Sequence, residues 1–286
     1  MNKILPLTND VVMKMYFTRK NNEEQLKQFL KAVTHLTDHD LAKIEIENPQ
    51  LPKIHAADKD FIVDINVTTK TGQRINIDVQ VQNHDNFIER MVAYNARNYA
   101  SQLDRGEDYV KLRESISIVI TSFSVFNDCS DFFEHVLFRR TNQKVFTNAQ
   151  QFYIIDLTKL PKKLTDAKTA WATLFKAQSK EELTMLSRDY EEISAAADKL
   201  IELSADDEVR YLADQRRKGR ILRKMFENDA HERGVAKGHA EGHAEGVHST
   251  KLTFVQNALA NNLPLELIET LTGLSPEEIQ ALSDET

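Results

Sequence analysis

Two aspartates lie in neighbouring arms of a stretch that reads as a β-hairpin, KDFIVDINVTTKTGQRINIDVQVQ, at residues 59–82. If the turn is centred near Thr71, the antiparallel register places Asp64 opposite Asp78. Directly opposed side chains lie about 5 Å apart, and like charges at that distance destabilise a sheet. A cation between the carboxylates removes the repulsion, and carboxylate oxygens suit Mg²⁺ or Mn²⁺. The spacing therefore predicts a divalent-metal site held by these two aspartates.

A neutral amide follows the second aspartate. Gln80 comes two residues after Asp78, so in a strand both side chains project from the same face. Its amide can position a water molecule or a phosphate oxygen, although it brings no charge. Two acids, a divalent cation and an amide suit metal-assisted hydrolysis of a phosphodiester. The alternative is that Asp78 and Gln80 are only the polar face of an amphipathic strand.

The elements around this hairpin alternate between strand and helix patterns. Alternating hydrophobicity predicts strands in LAKIEIENPQLP, in both hairpin arms, and in SISIVITSF, EHVLFRR and QFYIIDL. Helical spacing predicts helices from about Asp10, in EEQLKQFLKAVTHL, and from Asn86 to about Leu103, the last with an apolar stripe that includes Ile88 and Val92. In the hairpin, the register pairs Val67 with Ile75 and Ile65 with Ile77. The order helix, three strands, helix, strand predicts an α/β domain that ends near residue 160.

Composition limits the class of protein. The 286 residues are 41% hydrophobic and 28% charged, with a formal net charge of -7. The acidic balance argues against a protein that holds nucleic acid by charge alone, although QRRKGRILRK concentrates six basic residues. No apolar run approaches the roughly 20 residues of a spanning helix, and the N-terminus has no signal-peptide pattern. A single cysteine, Cys129, favours a reducing compartment. We expect a cytoplasmic protein without membrane segments.

The C-terminal half changes character. Helical patterns such as KTAWATLFKA and EELTMLSRDYEEISAAADKLIEL follow the α/β domain, and RGVAKGHAEGHAEGVH then places a glycine at every fourth position. Each interior glycine costs a helix about 1 kcal/mol relative to alanine. The repeat is therefore either a soft linker or a helix for self-association, and a homodimer through this region is expected. In the last segment, Ser275 and Glu278 form a capping box. The expected divisions are 1–160 (α/β domain), 161–230 (helical region), 231–250 (Gly/Ala/His repeat linker or helix) and 251–286 (small helical module).

The site residues and their order resemble a known nuclease superfamily. Asp64, then Asp78-Val79-Gln80 on the next strand, then a helix with Arg90 and Tyr94, is similar to the PD-(D/E)XK nucleases. More narrowly, the sequence resembles the Rpn family of recombination-promoting nucleases, also described as PD-(D/E)XK transposase-family proteins. NHDNFIERMVAYNARNYASQLDRGEDYVKL, the repeat tail and the closing LTGLSPEEI add to the resemblance. It implies a restriction-endonuclease-like core (an αβββαβ mixed sheet), a helical C-terminal region, and DNA cleavage with Mg²⁺ or Mn²⁺.

The resemblance also implies roles for individual residues. Asp64 and Asp78 become the metal ligands and catalytic acids, with the backbone carbonyl of Val79 as a further ligand. Gln80 stands where the superfamily usually has a lysine. Three further residues are accessory candidates: Asp10, as an additional acidic ligand, Arg90 and Tyr94.

Three departures from the superfamily pattern leave alternatives open. Val63, rather than proline, precedes Asp64, and the second acid is an aspartate rather than the commoner glutamate. Glutamine in place of lysine removes a cation that would lower the pKa of the attacking water. The leading hypothesis is a metal-dependent DNA endonuclease associated with recombination, mobile elements or defence. The alternatives are a catalytically degenerate DNA-binding or regulatory protein, and a self-assembling protein that acts through its tail.

Overall fold

The computed structural model describes residues 3–47, 65–83 and 85–284, with side chains as far as Leu282. The chain forms two compact units, Met1–Gly219 and Arg220–Thr286. The first unit contains the whole sheet, and the second contains helices.

A six-stranded mixed sheet organises the first unit, in the spatial order β1-β2-β3-β4-β6-β5. Its strands are β1 (Ile44–Glu47), β2 (Ile65–Thr69), β3 (Arg74–Gln80), β4 (Ser115–Thr121), β5 (Phe133–Arg139) and β6 (Val145–Asp156). β1, β2 and β3 form an antiparallel meander, whereas β3, β4 and β6 are parallel and β5 is an antiparallel edge strand. The predicted α/β class with a mixed sheet is confirmed.

The β2–β3 hairpin has the register that its sequence indicates. Val67 lies opposite Ile75, and Ile65 lies opposite Ile77. Asp64, the residue expected to face Asp78, lies outside the described residues. Because successive side chains of a strand point to opposite faces, β3 buries one set and leaves the other half-exposed. The buried set is Ile75, Ile77 and Val79, and the half-exposed set is Arg74, Asn76, Asp78 and Gln80.

Most helices of the first unit cover the apolar face of the sheet. They are α1 (Asp10–Thr18), α2 (Glu23–Val33), α4 (Ala167–Lys176), α5 (Lys180–Asp189) and α6 (Ser194–Ala205). Their side chains share one core with β3 and β4. Within it, the rings of Phe17 and Phe29 stack with centroids 5.3 Å apart. The sequence indicates one helix where α5 and α6 lie, but Tyr190 adopts an extended conformation and separates them, so that the two helices pack against each other.

One helix, α3 (Phe87–Ala100), connects β3 to β4 and contacts both strands. It lies on the opposite face of the sheet from the apolar core, because its buried Asn95 bonds to Ser117, which alternates with the core residues Ile116 and Ile118 along β4. Ile88 and Val92 of α3 are 44% and 41% exposed. The predicted apolar stripe of this helix is therefore wrong at these two positions, since the sheet face beneath it is largely polar.

The second unit closes with two short helices, α8 (Leu265–Thr272) and α9 (Pro276–Asp284). They pack on the end of the long helix α7 (Asp207–Ala260) through a small apolar cluster: Val255, Ala258, Ile268, Ile279 and Leu282. The capping box is present, because the backbone N–H of Glu278 donates to Ser275 Oγ at 3.3 Å and the N–H of Ser275 donates to Glu278 Oε2 at 2.8 Å.

The glycine repeat is helical along its whole length, because α7 runs without interruption through it. A Cβ atom added at Gly234, Gly238, Gly242 or Gly246 would meet nothing within 4 Å. No contact among the described residues therefore requires glycine at these positions, and the cost of glycine to the helix is not offset there by closer packing.

We expect Gly238→Ala and Gly242→Ala each to raise the free energy of unfolding of the second unit by about 1 kcal/mol, because alanine restricts the unfolded chain and favours the helix. Far-UV circular dichroism during urea titration of the full chain measures this change. Gly273→Ala is the matched control and should destabilise, since Gly273 ends α8 with φ +67°. A loss of stability in Gly238→Ala would contradict the expectation.

Candidate active site

Two of the predicted site residues lie together at the carboxyl end of β3. Asp78 and Gln80 are both half-buried and project from the same face of the strand. Gln80 Nε2 donates a hydrogen bond to Asp78 Oδ2 at 2.5 Å. This contact turns the amide oxygen of Gln80 away from the carboxylate. The amide oxygen can therefore accept a hydrogen bond from a donor on another element.

That donor is Arg90, one of the accessory residues predicted from the sequence. Its guanidinium Nη2 donates to Gln80 Oε1 at 3.1 Å. The amide therefore links a cation on α3 to a carboxylate on β3, in the order Arg90, Gln80, Asp78. Since a glutamine can donate and accept at the same time, it joins the two opposite charges without carrying one.

α3 runs antiparallel to β3, which decides where its other side chains lie. The first turn of the helix meets the end of β3 through Arg90, and the residue after the helix, Ser101, accepts a hydrogen bond at 3.3 Å from Arg74 at the start of β3. Tyr94 lies one turn after Arg90 on the same side of the helix. It is 46% exposed.

A buried asparagine, which the sequence analysis did not single out, fixes α3 on the sheet. Asn95 is 1% exposed, and its Nδ2 donates to Ser117 Oγ at 2.9 Å and to the carbonyl of Ser115 at 3.1 Å. Its Oδ1 accepts from Gln150 Nε2 at 3.1 Å. Asn95 thus ties the helix to β4 and β6, and the helix carries Arg90. The sequence did contain one signal for this role: Asn95 is an amide residue among the apolar residues of a helix that was expected to pack on the core.

Asp10 has a different partner from the one proposed for it. The residue is buried at the start of α1, and Arg216 Nε donates to its Oδ2 at 2.6 Å. Its Oδ1 accepts from the backbone N–H of Val11 at 3.0 Å. Both carboxylate oxygens are therefore engaged by the chain, and Asp10 forms an ion pair between α1 and α7.

Two further polar residues share the carboxyl edge of the sheet with Gln80. Thr121 ends β4 and Asp156 ends β6, both in register with Gln80, so they point to the same face. Asp156 is buried, and its Oδ1 accepts from the backbone N–H of Thr158 at 2.9 Å. Its Oδ2 lies 3.4 Å from Lys159 Nζ. We interpret Asp156 as the cap of the turn that follows β6.

Another group of metal-ligating atoms lies in and before β5. Cys129, Asp131 and Glu134 bring their ligand atoms within 4.8 Å of one another. The thiol of Cys129 donates to Glu134 Oε1 at 2.7 Å, and this hydrogen bond is the main reason that the pKa of Cys129 is raised. A protonated thiol is a poor metal ligand, and Mg²⁺ prefers oxygen, so this group does not match the predicted metal.

The oxygen atoms at the end of β3 do match such a cation. Asp78 offers a carboxylate and Gln80 an amide, which are the hard donors that Mg²⁺ and Mn²⁺ bind. In the part of β3 that faces α3, Asp78 supplies the carboxylate, and Asp64, the second expected ligand, lies outside the described residues.

The fold and a family match define the class of protein. The mixed six-stranded sheet and the helices that pack on it are consistent with the PD-(D/E)XK nuclease fold. The chain belongs to the PD-(D/E)XK nuclease family transposases, whose family profile matches residues 7–229. No curated protein and no solved structure matches the chain. Among the described helices, none has the length and apolar character needed to cross a membrane.

The family match covers the sheet, the candidate site and the first part of α7, whereas residues 230–286 lie beyond it. Membership indicates a nuclease-type function for the first unit, with DNA as the class of substrate. It leaves the last part of α7 and the two closing helices without an assigned role.

We expect Asn95→Ala to lower the free energy of unfolding by about 2 kcal/mol, because the buried Ser117 and the half-buried Gln150 lose their hydrogen bonds. Urea denaturation followed by tryptophan fluorescence measures this, since Trp171 lies in the core of the same unit. Asn98→Ala, on the same helix but only half-buried, should change stability by less than about 0.5 kcal/mol. Equal effects of the two substitutions would contradict the role of Asn95.

Proposed function

We propose that the protein is a metal-dependent DNA endonuclease that hydrolyses phosphodiester bonds with Mg²⁺ or Mn²⁺. The observation that carries this proposal is the hydrogen-bonded chain from Arg90 through Gln80 to Asp78. It brings an acid, an amide and a cation to one edge of the sheet in a chain that belongs to a nuclease family.

Asp78 and Asp64 would hold the metal ion, with the carbonyl of Val79 as a further ligand. When bound, the ion would lower the pKa of a water molecule and neutralise charge on the phosphate. The hairpin register supports this assignment, since the confirmed pair of Ile65 with Ile77 is the one next to the pair expected for the two aspartates.

Arg90 would replace the charge that the superfamily's lysine usually provides. Gln80 occupies the position of that lysine and is neutral, but its oxygen binds the guanidinium of Arg90 at 3.1 Å. A guanidinium at this position can stabilise negative charge that develops on a phosphate. Gln80 would orient the water or a phosphate oxygen, and Arg90 would keep the amide in the required orientation.

A catalytically degenerate DNA-binding or regulatory protein is the second candidate. One observation favours it: Gln80 Nε2 donates to Asp78 Oδ2 at 2.5 Å. The amide therefore already occupies one of the two carboxylate oxygens that a metal would need. Such a protein would bind DNA and leave it intact, whereas the endonuclease would cut it. The endonuclease proposal also includes a role in recombination, mobile elements or defence, as in the Rpn family. It further includes a cytoplasmic location and a homodimer.

Cleavage of duplex and single-stranded DNA with Mg²⁺ or Mn²⁺ tests the proposal. We expect Asp78→Asn to reduce the rate of DNA cleavage to that of a reaction without protein, because the metal loses a charged ligand. Asn76→Ala, on the same face of β3 and two residues earlier, is the matched control and should keep the activity. Wild-type protein that binds DNA without cutting it, or Asp78→Asn protein that cuts it normally, would contradict the endonuclease.

The role of Arg90 has its own test. Arg90→Gln should lower the cleavage rate by about 10²-fold, which is typical for loss of one electrostatic stabiliser. Adding Gln80→Lys to that variant should restore part of the rate, because lysine returns a cation to the position from which the superfamily usually supplies it. If Gln80→Lys gives no recovery while both variants remain folded by circular dichroism, Arg90 does not act as the substitute for that charge.

A further inference from the structure

The hairpin between β5 and β6 extends beyond the rest of the sheet. β4 begins at Ser115, which pairs with Gln150 of β6, so the part of β6 before Gln150 has only β5 as a neighbouring strand. In that part, Phe138 of β5 lies opposite Thr147 of β6. We call residues 138–147 the ribbon. Every residue from 138 to 146 is exposed, so both faces of the ribbon are open to solvent in the part of the chain that the structure describes.

A three-residue loop closes the ribbon. The backbone N–H of Arg140 donates to the carbonyl of Lys144 at 2.8 Å, and the N–H of Gln143 donates to the carbonyl of Arg140 at 2.8 Å. Gln143 has φ +66°, and a left-handed residue at this position is typical of such loops. Arg139 Nη1 also donates to the carbonyl of Gln143 at 2.8 Å. Arg140 and Lys144 therefore lie opposite each other, one on each strand.

The ribbon is basic, although the protein is acidic overall. It carries Arg139, Arg140 and Lys144, and no aspartate or glutamate occurs from position 135 to position 155, whereas the whole chain has a formal net charge of -7. Among the described residues, the side chains of Arg140 and Lys144 have no ion-pair partner. Like charges directly opposite each other destabilise a pair of strands, so an anionic partner would relieve this repulsion.

The ribbon also exposes two aromatic rings. Phe146 is 73% exposed and Phe138 is 46% exposed. Phe138 and Arg140 are two positions apart on one strand, so they project from the same face, and Lys144 lies opposite Arg140 on that face. A two-stranded hairpin without a covered apolar face is marginally stable in water, and exposed rings of this kind indicate a surface that a partner covers.

We propose that the ribbon binds single-stranded DNA, with bases stacked on Phe138 and Phe146 and with phosphates bound by Arg140 and Lys144. Proteins that hold unpaired strands combine cations that contact phosphates with aromatic rings on which bases stack. In a duplex the bases are already stacked on one another, so the two exposed rings have no such role there. Both features of the ribbon, its charge and its aromatic rings, thus fit an unpaired strand.

The ribbon is remote from the candidate active site. Asp78 shares a row of the sheet with Val119 and Ile154, and Ile154 comes nine positions after Val145 of the ribbon. At about 3.3 Å per residue, these nine positions extend over about 30 Å of β6. About nine nucleotides of a stacked strand cover that distance, so the ribbon holds DNA that flanks the cleavage site. The inference rests on the proposed function only in taking DNA as the substrate.

Fluorescence anisotropy of a labelled oligothymidine tests the role of the rings. The full chain with Asp78→Asn serves as the parent, in EDTA, so that the DNA stays intact. Adding Phe146→Ala should weaken binding of the single strand about 10-fold, the typical loss for one stacked base, and should change binding of a duplex of equal length by less than about twofold. Phe226→Ala is the matched control, since Phe226 is 69% exposed on α7, and it should bind as the parent does. Unchanged binding by Phe146→Ala, or an equal loss with the duplex, would overturn the proposal.

The salt dependence of the same binding tests the role of the cations. The double variant Arg140→Gln/Lys144→Gln should reduce the slope of log K against log salt concentration by about 1.4, because each phosphate contact on a single strand contributes about 0.7. Lys180→Gln/Arg188→Gln, which removes two exposed cations from α5, is the matched control and should keep the slope of the parent. An unchanged slope in the ribbon variant would overturn the proposal.

The binding assay also separates this proposal from the endonuclease. A parent protein that fails to bind the single strand would overturn the role of the ribbon, whatever the cleavage assay shows. Single-strand binding that depends on the ribbon, in a wild type that does not cut DNA with Mg²⁺ or Mn²⁺, would support the ribbon and contradict only the endonuclease.

Discussion

The hydrogen bonds that Gln80 makes with Asp78 and Arg90 determine the electrostatics of the candidate site. A lysine at position 80 would place its charge beside Asp78 directly. The glutamine instead bonds to Asp78 Oδ2 through its nitrogen and to the guanidinium of Arg90 through its oxygen. The cation therefore comes from a different element, and the charge balance of the site depends on how α3 lies against β3.

The position of α3 depends in turn on polar contacts rather than on an apolar interface. Asn95 is buried and bonded to β4 and to a glutamine of β6, whereas Ile88 and Val92 remain substantially exposed. Hydrogen bonds restrict geometry more than apolar contacts do, because they require specific distances and angles. A helix held in this way keeps Arg90 at a fixed position relative to Gln80. A metal site with few charged ligands requires such a fixed position of its cationic side chain.

The sequence predicted the sheet and the hairpin register well, because strict alternation in β3 leaves one choice of buried face and a one-residue slip would bury Asp78. It also placed Arg90 near the site. It did not identify Asn95, since local patterns cannot show that the sheet face under α3 is polar. Asp10 was proposed as a ligand, but its partner Arg216 is more than 200 positions away, and no local pattern connects the two. The sequence left open whether the glycine repeat is a linker or a helix, because each interior glycine disfavours a helix while the regular four-residue spacing is compatible with one.

The central claim is that Asp78 binds a divalent cation, and isothermal titration calorimetry with Mn²⁺ tests it most directly. The full-length wild type and the Asn76→Ala variant should bind the ion, and the Asp78→Asn variant should lose that binding while remaining folded by circular dichroism. Binding of Mn²⁺ to the Asp78→Asn protein with the affinity of the wild type would contradict the account.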